Sequence, residues 1–289
     1  MTTTFAPARP EAVAGQATLA ALAARELRRF LVNPVFLLAV VMTAWTTWDG
    51  RSASVTEIDT ANPYPAIFLG GFGMMAMFWL TRSMRASEPV VGVSPTTLPA
   101  RTAALCTVAV VPLLCGVLTL FAFLHFHPAG SRVYGAFSPP AQVAVLVAQI
   151  VVPSLGGPLL GVALGRWVRF PGAAFLLFLV IFGWLNVVTI PSLFHPDSAA
   201  FTALRLFPPF AFFTYVNNAA DVTTWRGSPW FFIGWQLALC ATAVLVALLR
   251  GAEGRVRFRV TRSLQIVLVV AAIMLVLAAR GGFTHAVHA

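Results

Sequence analysis

The side chains that could do chemistry in this sequence are few. His125 and His127 form a His-x-His pair at the end of an apolar run, and His285 and His288 stand close to the C-terminus. Protein metal sites usually need three or four ligands, and no carboxylate lies near either histidine pair in sequence. We therefore interpret the histidines as solvated segment ends and expect no metal site in this chain.

Asn217 and Asp221 offer a second kind of chemistry. Their N-x-x-x-D spacing is similar to the start of the motif with which membrane prenyltransferases hold a magnesium diphosphate. Those enzymes continue with further aspartates at the same pitch, whereas the next position here is Trp225. An integral membrane enzyme such as a prenyltransferase is therefore the least favoured alternative, and we assign no catalytic and no cofactor-binding residues.

Hydrolysis of ATP by this chain alone is excluded. All 19 basic residues are arginines, so the lysine that a Walker A loop places on the phosphates cannot be supplied. The interiors of the third to sixth apolar runs also contain no Asp, Glu, Lys, Arg or His. Ion-coupled carriers place such residues in the middle of the membrane, so a self-powered carrier is not expected either.

The composition indicates the class of protein. The chain of 289 residues is 59% hydrophobic and 10% charged, with a mean hydropathy of +0.85, which is typical of an all-α, polytopic membrane protein. We attribute the net charge of +10 to arginines that set topology beside anionic membrane lipid, and expect no nucleic-acid partner. Cys106, Cys115 and Cys240 all lie in apolar runs and form no disulfide framework.

The apolar pattern predicts a single transmembrane domain over residues 1–289. Residues 16–33 have leucines at helical spacing with arginines on the other side, which indicates a helix in the membrane interface. Seven apolar runs follow. They are Val35–Trp48, Ala66–Leu80, Thr102–Leu124, Ala141–Gly165, Gly172–Phe194, Trp230–Leu249 and Leu264–Ala279. In the fourth run, Gly157, Gly161 and Gly165 form a stripe on which another helix can pack closely.

The arginines predict the orientation. With seven spans and a cytoplasmic N-terminus, most arginines fall on the cytoplasmic side, in the N-terminus and in residues 82–101 and 250–262. Residues 49–65 and 195–228 are then outside. An eighth span at 201–215 would reverse this bias, because it would move 250–262 outside. We therefore interpret 201–215, which Arg205 and Pro208 interrupt, as a re-entrant or interfacial segment on the outer side.

This layout resembles a known family over residues 16–250. An arginine-rich helix ends in Asn33-Pro34 and leads into span one. A segment with Glu88 and Leu98-Pro99-Ala100-Arg101 precedes span three, and Leu206-Phe207-Pro208-Pro209 precedes the last helix of the core. Together these features look like the membrane subunit of a type-2 ATP-binding-cassette (ABC) transporter of the compact bacterial kind. That resemblance implies a six-helix permease core (34–250) behind the interfacial connecting helix (16–33). Residues 251–289, a basic cytoplasmic loop and an extra seventh helix, depart from the pattern.

The resemblance also implies partners and site residues. A separately encoded ABC ATPase would bind ATP and magnesium and dock on a coupling loop at residues 85–99, with Arg82, Arg85 and Glu88 as contacts. A second permease subunit, identical or related, would complete a central cleft lined by spans two and five. The implied cleft residues are Met74, Met77, Phe78, Phe178, Phe182 and Asn186. Such a lining suits export of a hydrophobic or amphipathic cargo from a bacterial inner membrane. The alternative is a permease-like scaffold or sensor that transports nothing.

Overall fold

The computed structural model describes residues 10–52, 64–86, 97–127, 138–188, 199–208, 214–218, 221–224, 227–280 and 286–288. Within these residues the fold is mainly helical. The helices are α1 (Pro10–Leu31), α2 (Pro34–Asp49), α3 (Gly73–Ala86), α4 (Leu98–Val108), α5 (Val110–Phe126), α6 (Pro139–Leu146), α7 (Val152–Trp167), α8 (Ala173–Val188), α9 (Ala199–Leu206), α10 (Pro229–Leu249) and α11 (Gly254–Arg280). Two π-helical segments, Ala66–Phe72 and Val147–Val151, run directly into α3 and α7.

The membrane class predicted from composition is confirmed. Five described helical segments are long and apolar enough to cross a membrane, and α1 with α2 would make a sixth if this bent pair is one span. The five are Ala66–Arg85, Leu98–Phe126, Pro139–Trp167, Pro229–Leu249 and Gly254–Arg280. The chain therefore has the architecture of a multi-pass helical membrane protein.

The corner between α1 and α2 forms where the sequence predicts it. Asn33 caps α2, because its side-chain oxygen accepts hydrogen bonds from the backbone N–H groups of Val35 (3.0 Å) and Phe36 (3.4 Å). Pro34 occupies the first turn, where its missing N–H costs nothing. The two helices meet at 64°, and the rings of Phe30 and Phe36 fill the corner with centroids 4.3 Å apart.

The centre of the bundle is the contact between α7 and the helix that runs from Ala66 through α3. A Cβ atom on Gly157 would overlap the backbone of Gly70, and one on Gly161 would overlap the carbonyl group of Met74. A Cβ on Gly165 would lie 2.8 Å from the Cβ of Thr81. The glycine stripe is thus confirmed as a surface of close backbone approach, with hydrogen atoms facing the neighbouring helix.

Several hydrogen bonds join helix ends at the arginine-rich end of the bundle. Arg29 of α1 donates to the hydroxyl of Ser83 (3.0 Å), and Arg85 of α3 donates to the carbonyl of Arg166 in α7 (3.3 Å). The Trp167 indole N–H donates to the carbonyl of Val246 in α10 (2.8 Å). These described parts of segments that the arginine count assigns to one side of the membrane therefore lie at the same end of the bundle.

The last helix differs from its prediction. Residues 250–262 were expected as a basic loop, but α11 begins at Gly254 and carries Arg255, Arg257, Arg259 and Arg262 within it. No proline interrupts the segment, so the helix of the apolar run extends through the arginines. Residues 250–253 form the turn between α10 and α11. Gly254, the first residue of α11, has a positive φ of 51° that favours glycine.

The segment around 201–215 contains two elements, and its placement as a re-entrant or interfacial segment stays a prediction. Helix α9 ends at Leu206 and strand β1 (Thr214–Asn218) begins beyond it. Strand β1 pairs with β2 (Asp221–Thr224), which pairs with β3 (Ala286–His288), both antiparallel. The all-α prediction thus misses a small sheet. Because β3 follows α11 and pairs with the hairpin that precedes α10, the sheet ties the C-terminal strand to the segment that we expect outside.

Candidate functional site

A cavity of about 420 Å³ lies among α7, α8 and α10. Its walls come mainly from one face of each helix, with Met74, Phe207 and Pro208 completing it. The helical lining is Val152, Pro153, Gly156, Gly157, Leu160 and Ala163 from α7, Leu177, Val180, Ile181 and Trp184 from α8, and Trp235, Gln236, Leu239, Cys240, Thr242, Ala243 and Val246 from α10. Trp235 and Val246 lie eleven residues apart along α10, so the cavity extends roughly 16 Å parallel to the helix axes.

Helix α8 makes this cavity because it is held from other sides. The Phe178 ring packs on Gly71 and lies 6.2 Å from the Phe72 ring, and Leu185 packs with Ala66. Next to Leu185, the Trp184 indole N–H donates to the carbonyl of Leu204 in α9 (3.1 Å). These contacts fix α8 to the π-helical segment and to α9, and a gap is left towards α10.

Among the described residues, the cavity wall is almost entirely apolar and carries no charged side chain. The polar groups on this wall include those of Trp235, Gln236 and Thr242. The indole nitrogen of Trp235 and the hydroxyl of Thr242 are buried without a hydrogen-bond partner among the described residues. Thr43 and Thr119, in contrast, each donate to the carbonyl four residues earlier. A lining of this kind fits a hydrophobic molecule with few polar groups.

The six residues expected to line a cleft are not brought together. Met74 lines the cavity, whereas Met77 and Phe78 are fully buried in the helix core. Phe178 packs on the π-helical segment. The ring of Phe182 stacks on the ring of Phe178, and 41% of the Phe182 surface is exposed. Asn186 is exposed and donates to the carbonyl of Phe182 (2.7 Å). A cleft between two subunits that uses these residues stays a prediction.

The cavity residues of α8 were missed because the helix is apolar on every side. Leu177, Val180, Ile181 and Trp184 form its cavity face, yet their neighbours Phe178, Leu179 and Phe182 are equally apolar. Hydrophobic periodicity therefore cannot choose a face. Aromatic residues could have indicated the position of the cavity, because Trp184, Phe207 and Trp235 all contribute to its lining.

Two of the predicted coupling residues, Arg82 and Arg85, lie at the end of α3. The Arg82 guanidinium lies 5.4 Å from the centre of the Trp79 ring, and Arg85 donates to Arg166 as described above. Glu88 lies outside the described residues. Helix α3 ends at Ala86 and α4 begins at Leu98, so the predicted coupling loop connects two described helices across 87–96. Arg85 holds α7, which forms one wall of the cavity.

Within the described residues, no three His, Cys, Asp or Glu side chains group as metal ligands. Asn217 and Asp221 lie on the two strands of the β1–β2 hairpin, so their spacing does not place them on one helical face. His127 lies 3.1 Å from the carbonyl oxygen of Gly50 through its Nε2 atom. This contact joins the ends of α5 and α2.

Comparisons with known proteins found no match: no family model, no curated protein and no solved structure matches this chain.

Proposed function

We propose that this chain is the membrane-spanning permease subunit of a type-2 ABC transporter, and that it moves a hydrophobic or amphipathic molecule. The observation that carries the proposal is the apolar cavity between α8 and two helices in segments long enough to cross a membrane, α7 and α10. The described residues of its wall carry no charged group. A cavity whose described wall carries no Asp, Glu, His, Lys or Arg offers none of the usual side chains for ion coupling. Its transport cycle must therefore draw energy from another protein.

The contacts around α3 suggest how that energy would reach the cavity. Gly157 and Gly161 of α7 pack directly on the backbone of Gly70 and Met74, and Arg85 holds the end of α7. The two helices should move as one unit, because there is no side-chain layer between them to deform. Helix α8 is fixed to the π-helical segment that runs into α3. A partner that pushes on the segment after Ala86 would therefore shift α3, α7 and α8 against α10 and change the width of the cavity.

The partners follow from this proposal. A separately encoded ABC ATPase binds ATP and magnesium and contacts the segment 85–99, with Arg82, Arg85 and Glu88 nearest to it. A second permease subunit, identical or related, completes the assembly. The chain lies in the bacterial inner membrane with its N-terminus in the cytoplasm, and the proposed direction of transport is export. A scaffold or sensor that merely holds a lipid would also need the cavity, so transport itself must be measured.

The test is isolation of the chain from its native membrane in mild detergent, followed by identification of the co-purified proteins and an ATPase assay. The proposal expects an ABC ATPase at a fixed stoichiometry, with activity that a hydrophobic cargo stimulates. An ATPase that binds but whose activity no cargo changes would favour the scaffold or sensor. A preparation that contains no ATPase would contradict the proposal.

A further inference from the structure

One face of α11 is free of the bundle along its whole length. Ala271, Ala278 and Ala279 are buried, and Gly234 of α10 packs on Met274. The large aliphatic side chains elsewhere on the helix are exposed, including Ile266, Val269, Val270, Ile273, Val276 and Leu277. In a membrane helix, exposed aliphatic side chains face the lipid chains.

The arginines of α11 continue this lipid-facing stripe. At about 100° per residue, Arg255, Arg259 and Arg262 fall on the same face as Ile266 and Ile273. All three are exposed. Arg257 falls on the opposite side, on the face that carries Ala271 further along the helix. The stripe thus changes from arginine to aliphatic between residues 262 and 266.

The length of the aliphatic part matches a bilayer. Arg280 falls on the same face and is exposed, and it follows Arg262 after 18 residues, or about 27 Å of helix. The hydrocarbon core of a typical bilayer is about 30 Å thick. Arg262 and Arg280 therefore lie near the two headgroup layers, and Arg255 and Arg259 extend further along the same side beyond the hydrocarbon.

The positive charge of these arginines indicates which kind of ligand they bind. The side chains of Arg255, Arg259 and Arg262 form no ion pair or hydrogen bond within the part of the chain that the structure describes. Glu253 is the one acidic residue in 250–280. A guanidinium fork binds phosphate oxygens in a bidentate manner. From the shared face, the exposure and the spacing, we infer that Arg255, Arg259 and Arg262 form a binding site for the phosphate headgroups of anionic phospholipid on the lipid-facing side of α11.

The test uses the full-length chain in detergent and native mass spectrometry of retained lipid, with phosphatidylglycerol and phosphatidylcholine as the two probes. The unmodified chain should retain phosphatidylglycerol preferentially. Arg259→Gln should weaken that retention about five-fold, the effect expected of one arginine near an anionic surface. Arg257→Gln removes the same charge from the other face and should leave retention unchanged.

Equal retention of the two lipids would overturn the inference, and so would equal loss in Arg257→Gln and Arg259→Gln. Displacement of phosphatidylglycerol by inorganic phosphate alone would also overturn it, because it would indicate a free-phosphate site. The triple variant Arg255→Gln, Arg259→Gln, Arg262→Gln should lose the lipid preference while keeping the melting temperature of the unmodified chain. If it keeps its lipid and loses a co-purified protein, the face is a protein-docking surface and the inference fails.

Discussion

Gly161 of α7 lies directly against the carbonyl group of Met74 in α3, so closely that the glycine has no room for a Cβ atom. One turn earlier, Gly157 makes the same approach to Gly70. At this contact two membrane helices touch through their backbones. The contact therefore makes α3 and α7 the rigid pair on which the proposed coupling depends.

The first prediction concerns this contact. Gly161→Ala should lower stability, since overpacking a close contact typically costs about 1–3 kcal/mol. Gly183 of α8 is the matched control, because a Cβ there would meet nothing within 4 Å. Gly183→Ala should stabilise the helix by about 0.5–1 kcal/mol through backbone entropy. Thermal unfolding of both variants in the same detergent checks the pair, and a Gly161→Ala variant at least as stable as the unmodified chain would show that the helices are not in contact.

The second prediction concerns the cavity. Val180 lies on its wall and is 64% exposed, so Val180→Trp can project a larger ring into the cavity with little damage to the core. Overpacking by about 1–3 kcal/mol corresponds to a loss of apparent cargo affinity of about 5-fold to 150-fold. Leu179→Trp is the control, since Leu179 is a neighbour on α8 that is 45% exposed and absent from the wall. Cargo-stimulated ATPase activity of the reconstituted complex is the measurement, and equal behaviour of the two variants would place the cargo elsewhere.

The glycine stripe and the cavity show what a sequence can and cannot predict here. Gly157, Gly161 and Gly165 recur every four residues, which is enough to predict a close helix contact. The corner at Pro34 was likewise predictable, because Asn33 and Pro34 stop one helix and start the next. The cavity depends on the distance between α8 and α10. The types and spacing of its lining residues, such as Val180 and Trp184, do not indicate that distance.

The arginines of α11 show a different limit. A segment with Arg255, Arg257, Arg259 and Arg262 reads as a loop by charge alone, and its prediction as a loop was wrong. Helix formation is cooperative, so an apolar helix already anchored on α10 extends through flanking arginines, which are good helix formers. The small sheet of β1, β2 and β3 was missed for a related reason, since β3 pairs with strands that are distant in the chain.

The third prediction concerns orientation. In a variant without Cys106, Cys115 and Cys240, a single cysteine at position 257 should be protected from a membrane-impermeant thiol reagent in intact cells. It should react once the cells are opened. Arg29, Arg85 and Arg166 lie at the same end of the bundle, and the positive-inside rule places such an arginine-rich end in the cytoplasm. Labelling of intact cells at position 257 would place this end outside and reverse the proposed orientation.

The central claim is that a partner ATPase acts on this chain through residues 85–99, and the charge of Glu88 tests it most directly. Removing one member of a partly buried charge pair commonly costs several kcal/mol, much of it from the stranded partner charge. The measurement is ATP-driven cargo transport by the reconstituted complex with Glu88→Arg, beside Asp197→Arg as a control in the segment expected on the opposite side of the membrane. We predict that Glu88→Arg loses transport and that Asp197→Arg keeps it. Full transport by Glu88→Arg would contradict the proposed contact, and full transport after deletion of residues 86–97 would contradict the permease assignment itself.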